Sequence, residues 1–342
     1  ILMSATIDLD YYKNYFKDKK ITIMGLGLLG RSIAYTKFLA ECGSQLTVTD
    51  LKSREMLAPA IKLLSQYNNI KFVLGEHRLI DFQKADMVIK SAGVPLDSIY
   101  IKEAKKNKIL IEMDASLFAK IAPDVTIIGV TGTRGKTMTT MLLYEILKAN
   151  EKSLGKKVYV AGNVRGGATL PLLNKTKKGD IVVLELDSWQ LQGFGEAKVS
   201  PTISVFTTFM PDHMNYYKDD PSDKSLRAGM KKYFEDKANI FKYQKKGDLL
   251  VIRQNVKKLI PKNIKSKLIV ANTKTVSKWD FAVPGDNQRE NLACAVEVAK
   301  QFNIPLSNIK KVVKNFKGVE GRLQYVKTVK GVKIYNDNNA TT

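Results

Sequence analysis

The sequence predicts an α/β protein built from a Rossmann-like domain, a central phosphate-loop domain of the ATPase type, and the start of a further α/β domain. Three observations carry this. The glycine run Gly25-Leu26-Gly27-Leu28-Leu29-Gly30 stands between a strand pattern and a helix pattern, and Asp50 closes the next strand. A second glycine-bearing loop, Thr131-Gly132-Thr133-Arg134-Gly135-Lys136-Thr137, follows the apolar stretch 125–130 and opens a helix over 138–149. Short apolar strands then alternate with helical repeats almost to residue 342, a length that is long for a single core.

Bulk properties narrow the function classes. Hydrophobic content of 44% and charged content of 26% are those of an ordinary globular protein. No apolar run approaches the ~20 residues of a membrane span, and residues 1–20 lack a signal-peptide pattern. Cys42 and Cys294 lie far apart and outside any metal-ligand spacing, which fits a reducing cytoplasm. The net charge of +23 would suit nucleic acid, but the lysines are scattered. No zinc-finger, helix-turn-helix or aromatic RNA-binding signature accompanies them. A cytoplasmic monomer with neither nucleic-acid nor membrane partners is expected, its field favouring small anionic substrates.

In chain order, residues 1–20 form an N-terminal extension. The strand 21–24 leads into the glycine run, then a helix with Ala34, Phe38 and Cys42 on one face, then the strand 46–49 ending in Asp50. This is a dinucleotide fingerprint, and Asp50 is placed to hold an NAD ribose or some other nucleotide group. Strands over 70–74 and 87–89 follow, the second running into Ser91-Ala92-Gly93-Val94-Pro95. A lysine-rich helix over 99–106 and the strand 109–111 close a first domain at residue 112. A linker helix around 115–119 and a break at Pro123 lead to the second domain, 113–320.

In that domain the glycines of the second loop turn backbone N–H groups inward, the helix start adds its dipole, Lys136 counters phosphate charge, and the Thr137 hydroxyl can hold Mg²⁺. The loop predicts ATP or GTP binding, although the usual pattern has a glycine where Val130 stands. The strand 181–184 ends in Glu185, placed as a metal ligand beside such a loop. His213 lies just past the strand 203–207, where α/β sites gather, and a solvated loop histidine is equally compatible with that position. His77 reads as surface. A helix over 225–243 puts Tyr233, Lys237 and Phe241 on one face. A helix over 289–302 follows Asn287, a short one spans 306–316, and a hairpin-like segment over 326–335 ends the pattern within a third segment, 321–342.

Taken together, these blocks resemble the Mur ligases of bacterial cell-wall synthesis, and within them the D-glutamate-adding members. The resemblance rests on the two glycine loops, Thr49-Asp50, Ser91-Ala92-Gly93-Val94, Gly162-Asn163, Glu185-Leu186-Asp187-Ser188-Trp189-Gln190-Leu191, Asp212-His213-Met214, the 233–241 helix face, Asn287 with Asn291, Gly321-Arg322 and Asn336-Asp337. They run in order from about residue 21 to the end. The resemblance implies a three-domain plan of which the third, Rossmann-like domain is only begun here. It reassigns the first domain from NAD to the uridine nucleotide of the substrate, with Gly27, Leu28, Asp50, Ser91 and Gly93 as contacts, joined by Asn163 and Ser188. It implies ATP contacts at Gly132, Thr133, Arg134, Gly135, Lys136, Thr137, Asn287, Arg322 and Asp337. Two Mg²⁺ ions are implied, one on Thr137 and Glu185, the other on His213 and a carbamylated Lys237. Lys136, Glu185, His213 and Lys237 then serve the chemistry, in which ATP activates UDP-N-acetylmuramoyl-L-alanine as an acyl phosphate that the amine of D-glutamate attacks. Asp187, Gly321 and Asn339 depart from the family pattern, where a small hydroxyl residue, histidine and lysine are frequent. A sibling ligase, a dehydrogenase or a non-catalytic nucleotide-binding protein are the other readings.

Overall fold

The computed structural model describes residues 9–338 apart from 29, 123 and 218–226. Leu29 of the glycine run, the expected break at Pro123, the expected helix start at Ser225, and Asn339 therefore lie outside the described residues. The chain forms two compact units. The first comprises residues up to Val125 together with Arg165–Lys178 and Gln192–Ala197. The second comprises Thr126–Val164, Gly179–Leu191 and the chain from Lys198 onward.

The first unit holds a parallel sheet of β1 (Lys20–Met24), β2 (Gln45–Asp50), β3 (Ile70–Leu74), β4 (Met87–Lys90) and β5 (Leu110–Glu112), in the order β3-β2-β1-β4-β5. Ile21, Ile23, Val48, Val88 and Ile89 are wholly buried, as expected of parallel strands covered on both faces. The strand order reverses between β1 and β4, which opens a crevice at their carboxyl ends. Gly25, at φ +95°, donates its N–H to Thr49 O (2.8 Å), and Ser91 N–H reaches Met24 O (3.0 Å). A Cβ on Gly25 would collide with the Ser91 side chain, so only glycine permits this approach.

A later segment joins this unit from far along the chain. The buried Asp114 carboxylate accepts N–H groups from Thr169 (2.8 Å) and Leu170 (2.9 Å), at the start of the 3-10 turn Leu170–Asn174. Burial raises its pKa, and those two bonds pull the other way. Gly193 lies so near Met113 and Ser116 that a Cβ would come within 2.8 Å of each.

His77 corrects the sequence reading. It is half-buried, its Nδ1 2.7 Å from the Thr49 hydroxyl and its ring edge-on to Tyr100 and Phe82. An isolated bridge between Asp50 and Glu76 folds the segment after β3 back across the end of β2, and burial lowers the imidazole pKa.

The second unit carries a six-stranded parallel sheet ordered β11-β10-β9-β6-β8-β7. Its strands are β6 (Thr126–Thr131), β7 (Val158–Gly162), β8 (Ile181–Glu185), β9 (Ile203–Phe206), β10 (Leu249–Ile252) and β11 (Lys267–Val270). Against it lie helices Lys136–Ala149 and Asp286–Lys300, with Leu142, Leu143, Ile146, Leu147, Leu292 and Val296 fully buried in one core. Truncating such residues to alanine typically costs about 2–5 kcal/mol, so the helix that follows the loop is firmly seated. Helix Arg227–Lys242 buries Tyr233, Lys237, Ile240 and Phe241, matching the face expected from sequence. Strands β12 (Gln324–Val329) and β13 (Val332–Asn336) form an antiparallel hairpin, tied by Tyr335 Oη donating to Ala282 O (3.1 Å).

Among the described residues no helix is long and apolar enough to cross a membrane.

Candidate active site

Lys136, Thr137, Glu185 and His213 stand at or just after the carboxyl ends of β6, β8 and β9, where the strand order turns about β6. β6 stops at Thr131 and the chain bends at Gly132, φ +147°, where a Cβ would lie 2.8 Å from Thr208 N. The tight position is thus Gly132. Val130, where the usual pattern has glycine, sits inside β6, buried and level with Glu185 of β8. Thr208 stitches the loop, accepting from Thr133 N–H through its carbonyl (2.7 Å) and from Arg134 N–H through its hydroxyl (2.8 Å). Gly135, φ +87°, then caps helix Lys136–Ala149 without a side-chain bond. The first-turn N–H groups of a helix have no intrahelical acceptors, which leaves them for an anion.

A cavity of about 350 Å³ opens over this loop. Its cations are Arg134, Lys136 and Arg322, its acids Glu185, Asp212 and Asp337, and Thr133, Thr137, Asn163, His213 and Gln288 complete the polar wall. Lys136 Nζ donates to Gly132 O (2.9 Å) and Thr133 O (3.1 Å); burial lowers its pKa and the Glu185 charge resists that. Burial raises the Glu185 pKa in turn, opposed by Lys136 and by a hydrogen bond from Thr137. Glu185 Oε1 accepts from Asn163 Nδ2 (3.4 Å), whereas Oε2 is buried with no hydrogen-bond partner. An orphaned carboxylate oxygen beside a threonine hydroxyl is the hard-oxygen set that Mg²⁺ takes, with phosphate oxygens and water filling its shell.

His213 stands at φ +56°, unusual for a residue with a side chain, and its N–H is held by Asp212 Oδ1 (3.0 Å). Its ring rests 4.8 Å from the Trp189 ring and 6.2 Å from Tyr233. Lys237 is 1% exposed. Its Nζ donates to Gly132 O (3.0 Å) and lies 4.8 Å over the Tyr233 ring. Desolvation, then repulsion from Lys136, drives its pKa well below the usual lysine range. Among the described residues no group of three or more His, Cys, Asp and Glu is arranged to hold a metal. An ion at His213 therefore needs oxygens from elsewhere.

Gly132, Lys237, Asn287 and Ser188 do not line the cavity. Lys237 supports the loop through the Gly132 carbonyl. Asn287 is exposed, and its Oδ1 accepts from Arg253 Nη2 (2.9 Å). Ser188 is buried and hydrogen-bonded to Tyr217. In the first unit, Asp50 pins the glycine run, accepting from Gly27 N–H (3.0 Å) and Lys52 N–H (2.9 Å), with Leu28 half exposed beside it and Ser91 and Gly93 at the end of β4. Asp187, a departure from the resemblance, has a local role. It and Gln190 exchange side-chain-to-backbone bonds (2.7 and 3.2 Å), a capping box for helix Ser188–Ala197. Sequence reasoning did not single out Thr208 or the buried Arg253, which also pairs with Glu290, and it gave Asp212 no role of its own. Only Asp187-x-x-Gln190 carries a local signal.

Comparison with known proteins agrees with this architecture. Residues 130–307 match the Mur ligase middle domain, and residues 19–112 match the Mur ligase MurD-like, N-terminal domain. The UDP-N-acetylmuramoylalanine–D-glutamate ligase of Roseiflexus sp. is 32% identical over 94% of this chain and 73% of its own length. The enzyme of that name from Borreliella afzelii is 34% identical over 95% and 72%. The solved structure of UDP-N-acetylmuramate:L-alanyl-gamma-D-glutamyl-meso-diaminopimelate ligase from Neisseria meningitides superposes with a TM-score of 0.59 at 17% identity, covering 89% of this chain and 99% of that one. UDP-N-acetylmuramate-alanine ligase from Thermotoga maritima gives 0.51 at 17% identity, over 93% and 73%. The fold and the two matched domains lead to one assignment. The chain belongs to the Mur ligase family.

Proposed function

We propose that this chain is an ATP-dependent ligase that joins D-glutamate to UDP-N-acetylmuramoyl-L-alanine in peptidoglycan precursor synthesis. The observation that carries it is the cavity in which Lys136, Thr137 and the orphaned Glu185 oxygen face one another over a helix N-terminus. The names of the 32–34% identical relatives support the substrate choice. On this reading the helix N-terminus and Lys136 seat the ATP phosphates, Arg322 and Asp337 complete the nucleotide contacts from the hairpin, and Asn287 meets the base. Thr137 and Glu185 hold one Mg²⁺; His213 and Lys237 hold a second. The bound metals supply charge neutralisation between two anionic reactants. The substrate carboxylate attacks the γ-phosphorus, the bond to the β-phosphate oxygen breaks and ADP leaves. The amine of D-glutamate then attacks the acyl phosphate, expelling phosphate and losing a proton. ADP release measured with each substrate omitted tests this. ATP turnover that is indifferent to the UDP-substrate would count against it.

The crevice between β1 and β4 takes the UDP group, with Gly27, Leu28, Asp50, Ser91 and Gly93 from that unit; Asn163 and Ser188 serve the same substrate. Asp50→Ala should weaken UDP-N-acetylmuramoyl-L-alanine by about 1–3 kcal/mol, because it removes a charged acceptor and frees two loop N–H groups. Titration calorimetry with the UDP-substrate and with NAD decides the matter. Tight NAD binding without UDP-substrate binding would restore the dehydrogenase reading.

Lys237 should be carbamylated when bicarbonate is present. A neutral amine attacks CO₂ and releases one proton, and the depressed pKa enlarges the neutral fraction at neutral pH. Raising the pH enlarges it further, so the modification should grow with pH as well as with bicarbonate. The product exchanges a donor for carboxylate oxygens able to join His213 around an ion. Carbon-13 NMR with labelled bicarbonate reads the adduct directly. An unmodified amine at high bicarbonate, with full activity in Lys237→Ala, would refute it.

A further inference from the structure

The phosphate loop contains an arginine whose head group reaches an acidic partner outside the loop. The backbone of Arg134 is fixed: its N–H is held by the Thr208 hydroxyl, and its carbonyl accepts from the hydroxyls of Thr207 (2.6 Å) and Thr208 (3.0 Å). Its guanidinium reaches across the cavity wall, where Nη1 donates to Asp212 Oδ2 (2.6 Å) and to Thr133 O (3.3 Å). The two side chains are 34% and 24% exposed, so solvent reaches the pair, and such pairs are held weakly. The root is rigid and the head is exchangeable.

Lys136 differs on both counts. It is half-buried at the helix start with Nζ on two loop carbonyls, where any phosphate seated on the helix N-terminus meets it. As a single point charge it meets β- and γ-phosphate oxygens alike, without the planar fork that reads a terminal group. A terminal phosphate brings further anionic oxygens, to which a planar guanidinium can make two parallel charge-assisted bonds. Asp212 offers the same head group one oxygen, its other oxygen being engaged by the His213 N–H (3.0 Å).

We propose that Arg134 is the residue that senses the terminal phosphate, latched to Asp212 until that phosphate displaces the carboxylate. This rests on reading the cavity as the ATP site, and it adds the selectivity of that site for triphosphate over diphosphate. Binding of ATP thereby exchanges one ion pair for another, and Asp212 sets the threshold that a competing anion must exceed.

The test is calorimetric titration of ATP and of ADP, each with Mg²⁺, into the wild-type chain and into Arg134→Gln, Arg134→Lys, Asp212→Asn and the double variant Arg134→Gln/Asp212→Asn. Arg134→Gln should lose on the order of 10-fold or more in ATP affinity, the scale of a lost charged hydrogen bond, with ADP nearly unchanged. Arg134→Lys should recover part of the loss. Asp212→Asn should tighten ATP when Arg134 is present and have little effect in the double variant, the non-additivity expected of a latch. Equal losses for ATP and ADP in Arg134→Gln, or none for either, would overturn the inference. A wild-type chain that binds neither nucleotide would instead remove the ATP reading of the cavity, and the sensor with it.

Discussion

Lys136→Ala should all but abolish ATP turnover while leaving the protein folded. Lys136 is half-buried and desolvation disfavours its charge, so removing it relieves one electrostatic cost, while Glu185 loses the cation that opposes its own desolvation. The helix that bears it is seated by Leu142, Leu143, Ile146 and Leu147, none of which touches the change in chemistry. ATP loses the cation nearest the helix N-terminus. A lost charged hydrogen bond is worth about 1.5–3 kcal/mol in binding. Turnover suffers more, because phosphoryl transfer depends on fixed charge where negative charge gathers; losing one such donor costs roughly 10²–10³-fold in other enzymes. Arg134 and Arg322 remain in the cavity and limit the loss in affinity. Thermal unfolding and ATP titration of the variant separate fold from function, and undiminished ATP affinity would dismiss the phosphate-loop assignment.

Gly162→Ala should be the most damaging small substitution outside the loop. Gly162 ends β7 at φ +89°, paired with Glu185, and a Cβ there would collide with the Glu185 carbonyl and stand 3.0 Å from its N. The following residue depends on the same carbonyl, since Asn163 N–H donates to Glu185 O at 2.7 Å. Left-handed backbone at a non-glycine residue costs roughly 1–2 kcal/mol by itself, and the collision adds to it by pushing the strand end that aims Glu185. A combined loss of about 2–4 kcal/mol is expected, the scale of steric overpacking added to backbone strain. The Mg²⁺ requirement for ATP binding should rise as well. Gly155, φ +63° with nothing near its virtual Cβ, is the matched control. Urea unfolding of both alanine variants checks the argument, and equal destabilisation would show that the close approach to Glu185 is unimportant.

The central strands were legible because residues buried on both faces of parallel sheets read as short apolar runs, and after β1 and β6 glycines at positive φ marked where they stop. Glu185 was legible for the same reason, as the first charge after such a run. His213 and Lys237 were not legible as a pair from spacing alone; each is commonplace where it stands, and only the family resemblance joined them. His77 was misread because Thr49, Phe82 and Tyr100, which cover its ring, come from separate elements, and the bridge that folds the segment after β3 back over β2 leaves no periodicity. Arg253 went unnoticed because its partners lie on a distant helix, and a lone arginine after an apolar strand carries no signal. Val130 looked like a defect in the loop until Gly132 proved to occupy the tight turn.

The clasp at Asp114 has a consequence for how the protein comes into being. Its two N–H donors belong to residues 169 and 170, which leave the ribosome after β6, helix Lys136–Ala149 and β7 have been made. Until then a carboxylate destined for a dry interior has no amide partners, and an unpaired buried acid is costly. Gln192–Ala197 arrives later still, with the Gly193 seat against Met113 and Ser116. The first unit therefore cannot finish until β6, β7 and β8, half of the second unit's six strands, have been synthesised. Its maturation is interleaved with its neighbour's, and a fragment ending at Val125 would present an open, half-hydrated face where a folded domain was intended.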